Sequence, residues 1–411
     1  MKHRKGFVLF MVVFFICVGA LLFSETSSVA EDASKKPIKI GVLSPFSPPG
    51  DAAAGKRIRY GAELAVKFVN EEWGGVRGGR PIELAFEDDA GTPAEGVAGF
   101  RKLVEKEKVV AVTGQYHSSV CIALTGLSKD FGVPLFTVGA SSPKITATMY
   151  PTIFSIMSST PAGARFRLDW IKGMGWKRVA IIAEDTDYGT GYVDWLTKLG
   201  EPMGFEFKSI IYPRTTTDLT PTLLETKAWK PEVVINMGVG ASAYLMVKQA
   251  YDVGLFPQVP MGAAYAWPLQ PEAWEAMGEK GKGICYLSLY HPAMKMTYLG
   301  EWMVPKYKQL HNEDPTFYAL NVFGQIIVIS QALNMSNSDK PEDLVQALRK
   351  GIFVDWQGII KFKEEEGYKW HQVNPAYTML QSTEVNQPVA ETNLIWPPEL
   401  GGTGKILPVS K

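Results

Sequence analysis

In VVAVTGQYHSSVCIALTGL (109–127) an apolar run ends at Gly114, and a serine pair, Ser118 and Ser119, opens a segment of helical character. Serines at a strand-to-helix junction have three uses: a helix cap, a catalytic nucleophile, or a seat for an anion. A helix that begins here leaves its first amide N–H groups without internal partners, at the positive end of the helix dipole. A serine hydroxyl turns its hydrogen toward whatever acceptor arrives. Amides plus two hydroxyls therefore hold a carboxylate or phosphate without a cationic side chain. A plain cap explains one serine equally well, so both readings stay open on local chemistry alone.

Catalysis finds little support. No serine sits in G-x-S-x-G, and His117, His291, His311 and His371 are scattered without metal-ligand spacing. The run from Gly238 to Ala243 fits G-x-G-x-x-A after an apolar strand, but the next strand, VPMGAA (259–264), ends in alanines. A dinucleotide site needs an acid there to hold the ribose, so a tight turn into a helix is the better account. Gly401, Gly402, Gly404 and Lys405 have the look of a phosphate loop, yet no Ser or Thr follows Lys405 and no helical segment comes after it. The expectation is a chain that is not an enzyme and takes no cofactor and no metal.

Other loops offer binding chemistry instead. Gly139–Ala140–Ser141–Ser142–Pro143 closes the strand after the serine pair; its small residues let a ligand approach the backbone, and Ser141 adds a hydroxyl. DTDYGTGY (185–192) supplies Tyr188 to reach across a cleft, or Asp185 and Asp187 as caps. Tyr116, Tyr188, Tyr265 and Trp267 are aromatics available to line a pocket.

The elements that must position these loops alternate. Strand candidates are IKIGVL (38–43), IELAFE (82–87), VVAVTG (109–114) and VPLFTV (133–138), then IFSIM (153–157), VAIIAE (179–184), FEFKSIIY (205–212), EVVINM (232–237) and ICYLSLY (284–290). In the helical segment 56–72, Ile58, Ala62, Ala65, Val66 and Val69 form one stripe. Thr160 before Pro161 reads as an N-cap with proline in the first turn. Apolar strands alternating with amphipathic helices predict parallel sheets covered on both faces, and two such series predict two doubly wound α/β lobes. Ligands of such sheets bind outside the carboxyl ends of the strands, where the loops Gly114–Ser119, Gly139–Pro143, Asp185–Gly191 and Gly262–Trp267 lie. The proline- and glycine-rich tail, 387–411, is expected to lie over the surface.

The N-terminus has the layout of a secretory signal: Lys2, Arg4 and Lys5, an apolar run over 7–23, and small residues at Ser28 and Ala30. An uncleaved anchor is the alternative. Cleavage near Ala30 makes the protein periplasmic. Nothing later reads as long and apolar enough to span a membrane. Of the 42 basic and 42 acidic side chains, cleavage removes three and one, leaving a net charge of −2. That balance excludes a nucleic-acid footprint. Cys121 and Cys285 fall in different halves and read as buried thiols.

The loops in this order, with GAELAVKFVNEEWGGVRGGRPIELAFEDD (61–89), VTGQYHSSV (112–120), VPLFTVGASSP (133–143), EDTDYGTGY (184–192) and PTFYALNVFGQIIVISQAL (315–333), resemble the extracytoplasmic solute-binding proteins of ABC importers for branched-chain amino acids, the leucine/isoleucine/valine-binding type. The resemblance covers about 38–377. It implies a type I periplasmic binding fold: two Rossmann-like lobes joined by three crossovers, lobe one over 38–157 with 291–376, and lobe two over 160–288 with 377–411. It implies a monomeric receptor that closes on a small carboxylate ligand and delivers it to membrane permease subunits. The alternative is a sensory protein of the same fold. The ligand carboxylate falls to Ser118, with Ser119 beside it, and to Gly139 and Ser141; Tyr188 lies over the ligand. Amino-acid-binding members hold the ammonium with acids where this chain has Ala264 and Ser158–Ser159–Thr160. That departure implies a carboxylate without an α-amino group, aromatic or branched-chain, lined by Tyr116, Tyr265 and Trp267.

Overall fold

The computed structural model describes residues 36–409; the export signal expected over 1–30 lies outside the described residues. The first half alternates β1 (Ile38–Ser44), α1 (Ala52–Lys67), β2 (Ile82–Asp88), α2 (Pro93–Glu105), β3 (Val112–Gln115), α3 (Ser118–Phe131), β4 (Leu135–Thr137), the short α4 (Pro143–Thr146) and β5 (Ile153–Ser155). Its five strands are parallel in the order β2-β1-β3-β4-β5. The second half runs α5 (Thr160–Gly173), β6 (Arg178–Glu184), α6 (Asp187–Gly200), β7 (Glu206–Tyr212), α7 (Thr220–Ala228), β8 (Val233–Met237), α8 (Ala241–Asp252), β9 (Met261–Ala263), α9 (Pro271–Met277) and β10 (Cys285–Ser288). Then α10 (Tyr298–His311), α11 (Phe317–Ser336) and α12 (Pro341–Lys350) return to the first half, where α11 packs along α1. Gly61 makes that approach possible, because a Cβ there would stand 2.2 Å from the Ala319 carbonyl oxygen. Four of the five stripe residues are at 0 % exposure, Ile58, Ala62 and Ala65 in α1 and Val69 in the π-helical Phe68–Glu72 that continues it, whereas Val66 is half-buried.

Two expectations are corrected. The chain does contain a later helix long and apolar enough to cross a membrane: α11 has 20 residues and a mean hydropathy of 1.2 over its apolar window. That window is 89 % buried inside the protein, so the helix is a core element. Its polar side chains are spent internally, Gln325 Nε2 on the Thr137 carbonyl at 2.5 Å and Asn321 Nδ2 on the Val138 carbonyl at 3.3 Å. The tail is not wholly a surface strap either. After a two-stranded ribbon of β11 (Phe353–Val354) and β12 (Ile359–Ile360), β13 (Thr378–Gln381) pairs antiparallel with β10, and β14 (Asn393–Trp396) pairs antiparallel with β13, extending the second sheet to seven strands. Ile395 is fully buried there, and hiding its apolar side chain outweighs the prolines on either side of the strand. Cys121 and Cys285 are free and buried.

Candidate functional site

The carboxyl ends of β3 and β4 deliver the serine loop and the small-residue loop to one place. Ser118 is the first residue of α3, not its cap; His117 holds the cap position and offers the helix no side-chain hydrogen bond. The Ser118 Oγ instead accepts the backbone N–H groups of Ser141 and Ser142, both at 3.3 Å. With its lone pairs taken, the hydroxyl has only its hydrogen left to offer, and among the described residues nothing accepts it. Ser119 is half-buried beside it. The first-turn amides of α3 carry the positive end of the dipole with no side-chain cap over them, an arrangement chemically able to receive an anion.

Gly139 serves as room rather than as donor. Its N–H is bound to the Gln115 carbonyl at 3.0 Å, while a Cβ at this position would meet the Tyr116 ring at 2.6 Å. The Tyr116 ring lies in that space, T-shaped to Tyr318 at 5.2 Å, and its hydroxyl donates to Asp51 Oδ2 at 2.8 Å. Asp51 is buried, and that burial raises its pKa against the lowering pull of the Ala54 N–H and the Tyr116 hydroxyl.

The second sheet supplies the facing wall. Tyr188, from the first turn of α6, lies T-shaped to Tyr192 at 5.1 Å and tilted to Tyr265 at 6.4 Å. The Tyr192 and Tyr265 hydroxyls are 2.7 Å apart. Tyr265 meets Phe317 of the first half at 5.3 Å. Burial pushes the Tyr188 and Tyr265 phenols well above their ordinary range, so both stay neutral hydrogen-bond donors. Ala264 contributes its carbonyl, which accepts from Arg167. Trp267 packs against Tyr244 at 5.2 Å, and its indole N–H has no partner. Thus Ser118, Ser141, Gly139 and Tyr116 gather at the end of the first sheet and Tyr188, Tyr265 and Ala264 at the end of the second, linked through the rings of Tyr318 and Phe317, with Trp267 packed on Tyr244.

Asp185 and Asp187 do not enter this space. Asp185 accepts the Arg214 backbone N–H on the surface, Asp187 pairs with Lys144 at 2.7 Å, and Thr186 caps α6. The expected cap of α5 also shifts by one residue. Ser159 occupies the cap position, while Thr160 is the first helical residue and turns its hydroxyl to Ser141. A cavity of about 480 Å³ opens beside the site, lined from the first half by Pro48–Asp51 and His117 and from the second by Arg214–Thr217, Val239–Ser242 and Leu245; none of the nine residues chosen from sequence lines it. Its rim is tied across by Arg214, whose guanidinium stands 3.1 Å from His117 Nδ1 and 2.9 Å from Glu184.

The sequence profile of the periplasmic binding protein family matches residues 37–385. The chain belongs to that family. Among its relatives, the Leu/Ile/Val-binding protein homolog 7 of Brucella abortus (strain 2308) is 27 % identical over 325 residues, 76 % of this chain and 80 % of that protein. The substrate-binding protein LivJ of Streptococcus pneumoniae, solved with isoleucine, superposes with a TM-score of 0.76 and 20 % identity, over 88 % of this chain and all of that one. A solute-binding protein of an ABC transporter from Rhodopseudomonas palustris BisB5, solved with 3,4-dihydroxybenzoic acid, gives 0.73 and 20 % identity, over 84 % of this chain and 93 % of that one. The fold of this periplasmic binding protein is therefore the type I architecture of the branched-chain amino acid type, and its role is that of a ligand-binding receptor.

Sequence reasoning missed Asp51, Arg167, Phe317 and Tyr318. For Arg167 a signal was present. Ala164, Leu168 and Ile171 form a buried stripe on α5, and Arg167 sits within it at i+3 from Ala164. A cation at a core position of an amphipathic helix is a buried charge that requires a partner.

Proposed function

We propose that this protein is the extracytoplasmic substrate receptor of an ABC importer, and that it seats the carboxylate of a small ligand at the N-terminus of α3 between two closing lobes, 38–157 with 291–376 and 160–288 with 377–411. The observation that carries this is the Ser118 hydroxyl: two amides hold its oxygen, so its hydrogen faces an acceptor the protein does not supply. Backbone amides and serine hydroxyls bind an anion with no cation to strip of water. Closure follows because a ligand that touches both walls binds the closed arrangement better. The family membership and the relatives solved with isoleucine and with a dihydroxybenzoate support both the receptor role and a carboxylate ligand.

Thermal unfolding of the mature protein, freed of co-purified ligand, tests this. A bound carboxylate at one hundred times its Kd adds about 2.7 kcal/mol of stability and raises Tm by several degrees. Ser118→Ala loses about tenfold or more in affinity, the worth of one hydrogen bond to a charged group. A Ser118→Ala protein that binds its acid as tightly as the wild type removes the seat.

A further inference from the structure

Arg167 is 1 % exposed, and no carboxylate pairs with it among the described residues. Its guanidinium is held by the Gly163 carbonyl at 3.2 Å, by the Ala264 carbonyl and by the Tyr192 hydroxyl at 3.4 Å, with the Tyr192 and Tyr265 rings at 4.9 and 5.3 Å. Other cations at the boundary are neutralised: the buried Arg57 by Glu272 and Glu313, and the half-buried Arg214 by Glu184. The buried acid on the opposite wall, Asp51, has both oxygens engaged, by Ala54 N–H and the Tyr116 hydroxyl. The wall formed by Tyr188, Tyr192 and Tyr265 therefore carries one uncompensated positive charge. A bare buried guanidinium is costly, and carbonyl and aromatic contacts recover only part of that cost.

The charge stands close to the anion seat. Ser141, whose N–H reaches Ser118, lies 3.1 Å from the Thr160 hydroxyl, and Gly163 is one turn of α5 beyond Thr160. Gly163 also leaves its space to this group, since a Cβ there would meet the Tyr192 hydroxyl at 2.4 Å and Arg167 Nη1 at 3.3 Å.

Resting on the receptor reading above, we propose that Arg167 is a specificity-determining residue that makes the cleft select a small acid carrying no ammonium group, with an aromatic or branched apolar body seated among Tyr188, Tyr265 and Phe317. A monoanion at the α3 N-terminus balances the guanidinium. A zwitterion brings a second positive charge into the same water-poor space, where like charges repel far more strongly than in bulk water. The discrimination comes as much from the repelled ammonium as from the attracted carboxylate.

Titration calorimetry on the mature protein, freed of co-purified ligand, compares phenylpyruvate, 4-methyl-2-oxopentanoate and benzoate with phenylalanine and leucine. The wild type is expected to prefer the best amine-free acid over the best amino acid by about a hundredfold or more. Arg167→Gln narrows that ratio by about tenfold or more, and Arg167→Lys, which keeps the charge, preserves most of it. If Arg167 only ties α5 to the strand end, Arg167→Gln weakens both ligand classes equally and leaves the ratio unchanged, which overturns the assignment. The wild-type ratio alone decides the matter should the variants fail to fold. Leucine bound at micromolar Kd with no binding of the acids overturns the Arg167 assignment and leaves the receptor reading standing. Binding of no carboxylate by either wild type or Ser118→Ala overturns the receptor reading and this inference with it.

Discussion

Thr160 donates its backbone N–H to the Ser141 carbonyl at 2.8 Å and its hydroxyl to the same oxygen at 3.0 Å, so the first turn of the second half is bonded to the loop whose amides hold Ser118. The passage between the two sheets and this loop are one hydrogen-bonded unit. Thr160→Val keeps the shape and removes the hydroxyl. It should cost about 1–2 kcal/mol and lower Tm by a few degrees, while Thr160→Ser stays near wild type. Thermal unfolding of both variants checks this, and equal stability of Thr160→Val and wild type would show the hydroxyl to be idle.

Gly139→Ala places a Cβ 2.6 Å from the Tyr116 ring and forces the tyrosine off Asp51. The expected cost is about 1–3 kcal/mol. Tyr116→Ala removes the obstacle, so adding Gly139→Ala to it should cost little further. A double-mutant cycle by urea denaturation measures the coupling; strictly additive effects would mean the loop relaxes without touching Tyr116.

Burial pushes the Asp89 carboxyl up to about 7, opposed by the Gly91 N–H and reinforced by Asp88, and its Oδ2 has no partner. An unfolded aspartate titrates near 4. Between about pH 4 and 7 the folded protein holds a proton that the unfolded chain has released, so this group lowers stability as pH rises and adds no further slope above 7. His371, lowered to about 4 by burial, has the opposite sign over about pH 4–6.5. Comparing Asp89→Asn with the wild type isolates the first group. The variant should gain stability relative to wild type on going from pH 4 to pH 8, by a few kcal/mol at most. A difference that does not vary with pH would contradict the assignment.

Ile395 lies at 0 % exposure in β14. Ile395→Ala should therefore cost about 2–4 kcal/mol, read as a lower urea midpoint. A tail merely resting on the surface would lose no more than about 0.5 kcal/mol.

Strand and helix order were legible because apolar runs and a 3.6-residue stripe are local properties: Ile58, Ala62, Ala65 and Val69 state their own burial. The anion seat was legible as an option, since a serine pair after a strand end permits it. Which option holds was not, because a cap and a seat use the same residue. What ruled out the plain cap was the loop after β4, which places two amides on the Ser118 oxygen, a contact across 23 residues that no local pattern encodes. The aromatics Tyr116, Tyr188 and Tyr265 could be picked by type, but Phe317 and Tyr318 reach the site only because α11 packs back on α1 from 250 or so residues away. The tail misled because proline and glycine report turns and say nothing of the partner strand waiting at a sheet edge. By itself the sequence determined the α/β alternation, the stripe of α1 and the absence of an acid at positions 264 and 158–160. Only the tertiary structure decided that a guanidinium stands there uncompensated, because charge balance is a sum over neighbours in space and Arg167, Tyr192 and Ala264 become neighbours only when the sheet is built.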